Sequence, residues 1–257
     1  MTLVDGARSP RPRGEVHPFV RRWDDLAPPR AALVVRDVAV RLLAPAVALF
    51  LLIWVIGAVI VGPLGSFQSE SALNRALQST RTPTWDSVTA LWSHIGNTEI
   101  VIGVCVVMVG VVWALTRSFW IAVVPAIAIT LQASVFVAAT TLTGRPRPDV
   151  PHLDEAPPTS SFPSGHVGAS TALYLTLALL CQRIPHPALR RVLTTICLVV
   201  PLLVLYARVY RGMHHLSDVL VGLANGVVCA GLAWGWLKDR RTTARGQAEG
   251  ERAQTSA

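Results

Sequence analysis

The 257-residue sequence has little charge and almost no lysine. Charged residues make up 15% of it, against roughly a quarter in soluble domains, and Lys238 is the single lysine. The charge that is present is unevenly spread, because long apolar runs alternate with short arginine-rich connectors, and the mean hydropathy is +0.48. This pattern indicates a multi-pass protein of the cell membrane and argues against one large soluble core.

The sequence also lacks the patterns of several other protein classes. Its four cysteines lie in or at the ends of apolar runs without CxxC spacing, so we expect buried thiols and neither disulfides nor a zinc site. No carboxylate cluster suggests a metal ion, and we expect no metal and no cofactor. The net charge of +8 comes from arginines that flank apolar runs, which favours lipid headgroups over nucleic acid as the partner.

Six apolar runs predict an all-α fold, an integral membrane bundle of six transmembrane helices. No cleavable leader precedes the first run, so we expect an uncleaved signal-anchor. Pro125 is predicted to kink the third span. The six predicted spans are residues 42–61, 100–115, 120–141, 167–180, 192–206 and 219–237.

The remaining segments are polar. Residues 1–38 and 238–257 are predicted to be disordered tails around a membrane domain of residues 39–237. In the loop 63–98, Trp85 and Trp92 recur at helical spacing, so we expect short interfacial helices, either a lid over a site or a passive surface layer. Most arginines fall on one side if both termini are cytoplasmic, and the positive-inside rule predicts that orientation.

Two polar clusters border the apolar runs, where ionisable groups are costly and therefore suggest function. In the first cluster, Arg145 and Arg147 alternate with prolines, which suits either phosphate binding or simple topological anchoring. Ser164 and Gly165 stand where a helix should begin, and the unpaired N–H groups and dipole there favour an anion. His166 falls in the first turn of that helix, so we interpret it as functional.

The second cluster contains Arg208, His214 and Asp218 within the stretch RVYRGMHHLSD. Asp218 follows His214 by four residues, so its carboxylate is predicted to accept a hydrogen bond from one imidazole nitrogen. The other nitrogen would then present a lone pair of fixed orientation. Arg208 ends the fifth run and can reach the same anion. We expect both clusters to meet in one phosphate-handling site on the non-cytoplasmic face.

Three blocks of this sequence resemble the signature of the type 2 phosphatidic acid phosphatase (PAP2) superfamily: Lys, six residues, Arg-Pro; then Pro-Ser-Gly-His; then Ser-Arg, five residues, His, three residues, Asp. The blocks here are Thr140 with Arg147-Pro148, then Pro163-Ser164-Gly165-His166, then Ala207-Arg208 with His214 and Asp218. The usual lysine is thus Thr140 and the usual serine is Ala207. Arg145 or Arg211 can in principle replace the cationic contact of the lysine.

The resemblance implies a PAP2/haloperoxidase-like helical core and a phosphatase that needs no metal. His214 would attack phosphorus to form a phosphohistidine, and Asp218 would hold its tautomer. His166 would protonate the leaving group and then activate water. The phosphate oxygens would be bound by Arg147, Arg208 and the amides of Ser164 and Gly165.

The resemblance leaves the substrate and the acceptor open. The candidate substrates are phosphatidic acid, phosphatidylglycerophosphate and a polyprenyl pyrophosphate such as undecaprenyl pyrophosphate, each anchored in the bilayer by its tails. A lipid phosphotransferase with the same site is an alternative. A non-catalytic lipid-binding member is another, because Thr140 replaces the lysine. His152 and His215 lie near the clusters but match no position of the signature.

Overall fold

The computed structural model of the protein describes residues 31–156 and 158–237, apart from the side chains of residues 66–68. Every regular element in this part of the chain is helical, which confirms the all-α prediction. Most of the two predicted tails, residues 1–30 and 238–257, lies outside the described residues. The helices are α1 Ala31–Val38, α2 Ala44–Val61, α3 Ser71–Gln78, α4 Pro83–Ile95, α5 Thr98–Thr116, α6 Phe119–Ala122, α7 Val124–Thr143, α8 Gly165–Cys181, α9 Pro187–Tyr210 and α10 Leu216–Trp234.

Five helical segments are long and apolar enough to cross a membrane. The sixth predicted span is α8, which is apolar but only 17 residues long, a rise of about 26 Å. Helix α8 packs against α7, α9 and α10, so protein rather than lipid covers most of it. The predicted six-helix bundle is thus five long helices around one short central helix. The long segments are Ala31–Val61, Thr98–Thr116, Phe119–Thr143, Pro187–Tyr210 and Leu216–Trp234.

Two helix boundaries differ from the predictions. Helix α1, Ala31–Val38, lies inside the predicted tail; its Val34 and Val38 pack on the core, and Asp37 lies 3.6 Å from Arg41. A π-helical turn, Ala39–Leu43, joins α1 to α2. Pro125, predicted to kink the third span, stands in the first turn of α7, and the span Phe119–Thr143 is divided just before it, at Val123, into α6 and α7.

The loop 63–98 folds as short helices, namely a 3₁₀ helix, Gly65–Glu70, followed by α3 and α4. We call residues 65–98 the cover. Its helix α4 packs along α9, where the Trp92 and Tyr206 rings lie 6.2 Å apart. We use the name bundle for α7 to α10 with their connecting loops. The cover therefore packs against the bundle.

Helices α8 and α10 approach closely because of two glycines. A Cβ at Gly222 would lie 2.5 Å from the carbonyl oxygen of Ser164, and one at Gly226 would lie 2.5 Å from the Cβ of Thr171. Such distances exclude any side chain. The close approach lets the Ser164 amide donate to the carbonyl of Asp218 at 3.0 Å. The starts of α8 and α10, which carry two of the sequence blocks, are thereby joined.

Candidate active site

His214 lies just before α10 and is almost fully buried. Its Nδ1 atom is 2.7 Å from the carbonyl oxygen of Ser161. A carbonyl only accepts, so Nδ1 carries the proton and Nε2 presents its lone pair. Burial, together with the charges of Arg208 and Arg147, lowers the pKa of His214 to about 4 against the opposing effect of Asp218. The ring is therefore neutral, the form in which an imidazole is a nucleophile.

The predicted hydrogen bond from His214 to Asp218 is absent. The Nδ1 to Oδ2 distance is 3.8 Å, too long for a hydrogen bond. The physical reason is that α10 begins at Leu216 with His215 as its N-cap, so His214 lies outside the helix and helical spacing does not apply. The carbonyl of Ser161 orients His214 instead.

Asp218 is a fully buried carboxylate that joins several segments. It accepts from the backbone N–H of His215 at 2.8 Å and from the Ser161 hydroxyl at 2.9 Å, and it forms an ion pair with Arg145. Because Ser161 also supplies the carbonyl that orients His214, Asp218 acts on that ring through Ser161. His215 is the N-cap of α10, a structural role that the sequence analysis did not predict.

Arg147 and Arg208 share one arrangement. In each, Nη1 donates to protein: that of Arg147 to the Met213 carbonyl at 2.7 Å, and that of Arg208 to Ser93 and Asp154, both at 2.9 Å. In each, Nε is buried without a partner among the described residues. Neither Nη2 donates a hydrogen bond within that part of the chain. Nε and Nη2 form one edge of a guanidinium, which can bind two oxygens of a phosphate.

Arg145 and Arg211 are arranged differently. Arg145, predicted as a phosphate ligand and a substitute for the missing lysine, is fully buried and donates to Glu70 at 2.9 Å, besides its ion pair with Asp218. Arg211, the other suggested substitute, donates to Asp154 through Nε and to backbone carbonyls through Nη1 and Nη2, all at 2.8 Å. Both cations are thus paired with protein acceptors. Thr140 itself donates to the Ser160 carbonyl at 3.3 Å.

The anion site predicted at the start of α8 is present only in part. Ser164 is the N-cap, as expected, but its amide donates to Asp218, so it is not available to an anion. A Cβ at Gly165 would lie 2.8 Å from the Phe136 ring, so this glycine makes room for an aromatic side chain. The Ser164 hydroxyl is buried and has no partner in the described part of the chain. The donors that remain at this end are this hydroxyl and the N–H groups of the first turn.

His166 lines a cavity and lies near His214. The two rings are close enough to interact electrostatically, and Arg208 also acts on His166. His166 Nε2 lies 2.9 Å from Oδ1 of Asn97. The cavity has a volume of about 510 Å³ and is lined by Ala90, Ser93, His94, Asn97, Thr98, Glu99, Asp154, Glu155, His166 and Arg208.

The cover contributes site residues that the sequence reasoning missed. Along α4 and just beyond it, Thr89, Ser93 and Asn97 contact Arg211, Arg208 and His166 respectively. Their spacing of four is a polar stripe that could have been found, since we considered only the tryptophans of this helix. The cover is therefore a wall of the site rather than a passive layer.

Two further support residues were also missed. Asn74 on α3 donates to the carbonyls of Val209 and His214, both at 3.1 Å. Asp154, in the loop before α8, accepts from Arg208 and Arg211 and holds these guanidinium groups together. The favourable ion pairs outweigh the opposing effect of burial, and the pKa of Asp154 is lowered.

A comparison with models of protein families identifies the family to which the bundle is similar. The family model described as the PAP2 superfamily matches residues 121–242, a stretch that contains all three sequence blocks. Residues 121–242 belong to the PAP2 superfamily. No curated protein matches the chain.

Two solved structures have the same PAP2 membrane fold. One is a transmembrane PAP2-type phosphatidylglycerolphosphate phosphatase from Bacillus subtilis, with a TM-score of 0.65 and 24% identity over 74% of this chain and 94% of that chain. The other is LpxE from Aquifex aeolicus, with a TM-score of 0.52 and 21% identity over 63% of this chain and 92% of that chain. At these identities the likeness concerns the fold.

Proposed function

We propose that this protein is an integral membrane phosphatase that hydrolyses a lipid phosphate or pyrophosphate through a phosphohistidine. The observation that carries the proposal is the pair of unpaired guanidinium edges, on Arg147 and Arg208, beside a neutral His214. A buried charged donor without an acceptor is unfavourable. A tetrahedral phosphate offers acceptors to both edges at once and leaves its phosphorus in reach of the imidazole.

In the first step, the Nε2 lone pair of His214 attacks phosphorus and the bond to the leaving oxygen breaks. His166 gives its proton to that oxygen. Arg147 and Arg208 stabilise the negative charge on the equatorial oxygens. One preorganised contact of this kind is worth about 3 kcal/mol, or on the order of a hundredfold in rate.

In the second step, water attacks the phosphohistidine and His166 takes its proton. The P–N bond breaks, its electron pair returns to Nε2, and inorganic phosphate leaves. Throughout, the Ser161 carbonyl keeps the proton on Nδ1, so Nε2 is always the reacting nitrogen. The chemistry uses only groups of this chain, and we propose that it needs neither metal nor cofactor.

The membrane setting and the relatives support a lipid substrate. Phosphatidylglycerophosphate, the substrate type in the name of the Bacillus subtilis protein, is one candidate beside phosphatidic acid and polyprenyl pyrophosphate. From the distribution of arginines we propose that both termini are cytoplasmic and that the site opens on the opposite face.

The test is phosphate release by the purified protein in detergent with EDTA, from a panel of these lipids. We expect release by the wild type, an acid-labile phosphoenzyme, and loss of both in His214→Ala. His152→Ala is the matched control, because His152 is exposed and its one hydrogen bond within the described residues is to the Pro148 carbonyl, at 3.2 Å. Unchanged release by His214→Ala would contradict the proposal, and so would no release from any lipid by the wild type.

A lipid phosphotransferase is the second candidate. The cavity beside His166, about 510 Å³, has room for an alcohol where hydrolysis needs one water. Product analysis in the presence of glycerol or another alcohol distinguishes the two, since a transferase yields a new phosphate ester in place of inorganic phosphate.

A further inference from the structure

The turn between α4 and α5 lies directly against His166. A Cβ at Gly96 would lie 3.2 Å from the Cβ of His166 and 2.8 Å from Cγ1 of Val204. Glycine therefore permits a backbone approach that a larger residue would prevent. The next residue, Asn97, reaches the imidazole from this turn, with Oδ1 2.9 Å from Nε2.

Asn97 is the N-cap of α5, yet its side chain does not cap that helix. An asparagine at this position normally accepts a hydrogen bond from the first turn of the helix and stabilises it. By contrast, Thr82 at the start of α4 does cap, accepting from the Trp85 amide at 3.3 Å. The Asn97 side chain instead contacts His166 on one side and Nδ1 of His94, at 3.0 Å, on the other. Local rules are broken in this way where a function needs the side chain.

We propose that Asn97 is a positioning residue for His166, whose oxygen fixes the tautomer with the proton on Nε2. With Nδ2 donating to His94, the oxygen faces His166, and an oxygen of this kind only accepts. His166 Nδ1 then becomes the nitrogen that delivers and takes up protons, and it has no hydrogen bond within the described part of the chain. This inference rests on the proposed function, in which His166 is the general acid and base.

A neutral partner suits this task. The amide orients the ring without adding charge, as the asparagine of a Cys-His-Asn site does, so the imidazolium remains acidic enough to give its proton to an alkoxide. The charge around His166 comes from other groups, and Asn97 adds none. Those groups are Arg208 from α9, Arg147 and Asp154 from the loop before α8, His214 from the turn before α10, and the cavity residues His94, Glu99 and Glu155.

The first test compares two leaving groups in Asn97→Ala. We expect the rate with an alkyl lipid phosphate to fall on the order of tenfold to a hundredfold, since a general acid contributes roughly that much or more. The rate with p-nitrophenyl phosphate should fall far less, because nitrophenolate leaves without a proton. Thr82→Ala, which removes an ordinary cap, should leave the ratio of the two rates unchanged. Equal losses with both substrates in Asn97→Ala would overturn the proposal.

The second test reads the tautomer directly by ¹⁵N NMR of the histidine rings, with the His166 signals assigned from His166→Gln. We expect Nε2–H in the wild type and a mixture of tautomers in Asn97→Ala. Asn97→Asp keeps the acceptor oxygen, so it should restore the tautomer and shift the alkaline limb of the pH–rate profile to higher pH. An unchanged spectrum in Asn97→Ala would overturn the proposal even if the enzyme is active. Absence of phosphate release by the wild type would instead refute the proposed function, while the spectrum still decides the role of Asn97.

Discussion

The bundle and the cover meet at the same cavity but bring different side chains to it. The bundle supplies the imidazoles of His166 and His214 and the guanidinium groups of Arg147 and Arg208. The cover supplies mainly hydrogen-bond partners, of which Asn97 is one. In our proposal the bundle carries the reaction and the cover sets the orientation of its groups. Substitutions in the two regions should therefore differ in the kind of effect that they have as well as in the size of that effect.

The largest effect is expected for His214→Ala in the bundle. Loss of a nucleophile should lower phosphate release by at least about a thousandfold. Its partner in the cover is Asn74→Ala, which removes the amide that donates to the His214 carbonyl. That variant leaves a buried carbonyl unpaired and should cost about 1–3 kcal/mol in stability, with a smaller loss of rate.

The measurements are single-turnover phosphate release and thermal unfolding in detergent, made on both proteins. His214→Ala should also lower the melting temperature, because it leaves the buried Ser161 carbonyl without its donor and opens a cavity, but its loss of rate should far exceed what that loss of stability explains. If Asn74→Ala abolished turnover without loss of stability, the division between the two regions would be wrong.

The second effect concerns the guanidinium edge of Arg208. Arg208→Lys keeps the charge but removes the Nε and Nη2 donors, so kcat/KM should fall on the order of a hundredfold. Arg191→Lys is the matched control, because Arg191 is exposed on the same helix and, among the residues that the structure describes, donates a hydrogen bond only to the Pro187 carbonyl. The measurement is kcat/KM of both variants with one lipid substrate. Similar activity in both lysine variants would show that charge alone is needed.

The difference between the two regions also explains what could be predicted from sequence. The bundle carries three blocks at fixed spacing, and the rings of His166 and His214, predicted to meet, lie within electrostatic reach. The cover contributes through polar residues such as Ser93 and Asn97, whose spacing of four marks one helix face but does not indicate which groups they contact. Their partners lie more than 60 positions away in the chain, so only the fold reveals them.

Two errors inside the bundle have physical causes. The Asp218 prediction assumed that His214 belonged to the helix, but an N-cap residue separates them. The Arg145 prediction assumed that both arginines of the Gly144–Pro148 segment face one ligand. Residues two apart in an extended segment share a face, which favoured that assumption, but Arg145 and Arg147 contact different partners, Glu70 and the Met213 carbonyl.

The third prediction uses pH to separate a buried imidazole of the bundle, that of His214, from a partly buried carboxylate, that of Asp154. The pKa of His214 is about 4, below its ordinary value of 6.5, so the unfolded chain binds an extra proton between these values and stability should fall as the pH drops through that window. The lowered pKa of Asp154 contributes stability above pH 4 that is lost only at lower pH. Thermal unfolding at several pH values should therefore give a flatter curve between pH 4 and 6.5 for His214→Ala. Asp154→Asn should be destabilised at neutral pH and approach the wild type below pH 4. If the pH dependence of thermal stability were the same in both variants as in the wild type, these pKa shifts would not belong to His214 and Asp154.

The smallest effect is expected for Ser93→Ala in the cover. The Ser93 hydroxyl joins Nη1 of Arg208 to the Asp154 carboxylate at 2.9 and 3.0 Å. Its loss leaves the ion pair between those residues in place, so kcat/KM should fall by only about threefold to tenfold, the worth of one hydrogen bond. Ser87→Ala on the same helix is the control, because Ser87 is exposed and donates only to the Pro83 carbonyl. A loss as large as that of Arg208→Lys would mean that the cover holds the guanidinium by itself, and the bundle would then lack a preformed phosphate site without it.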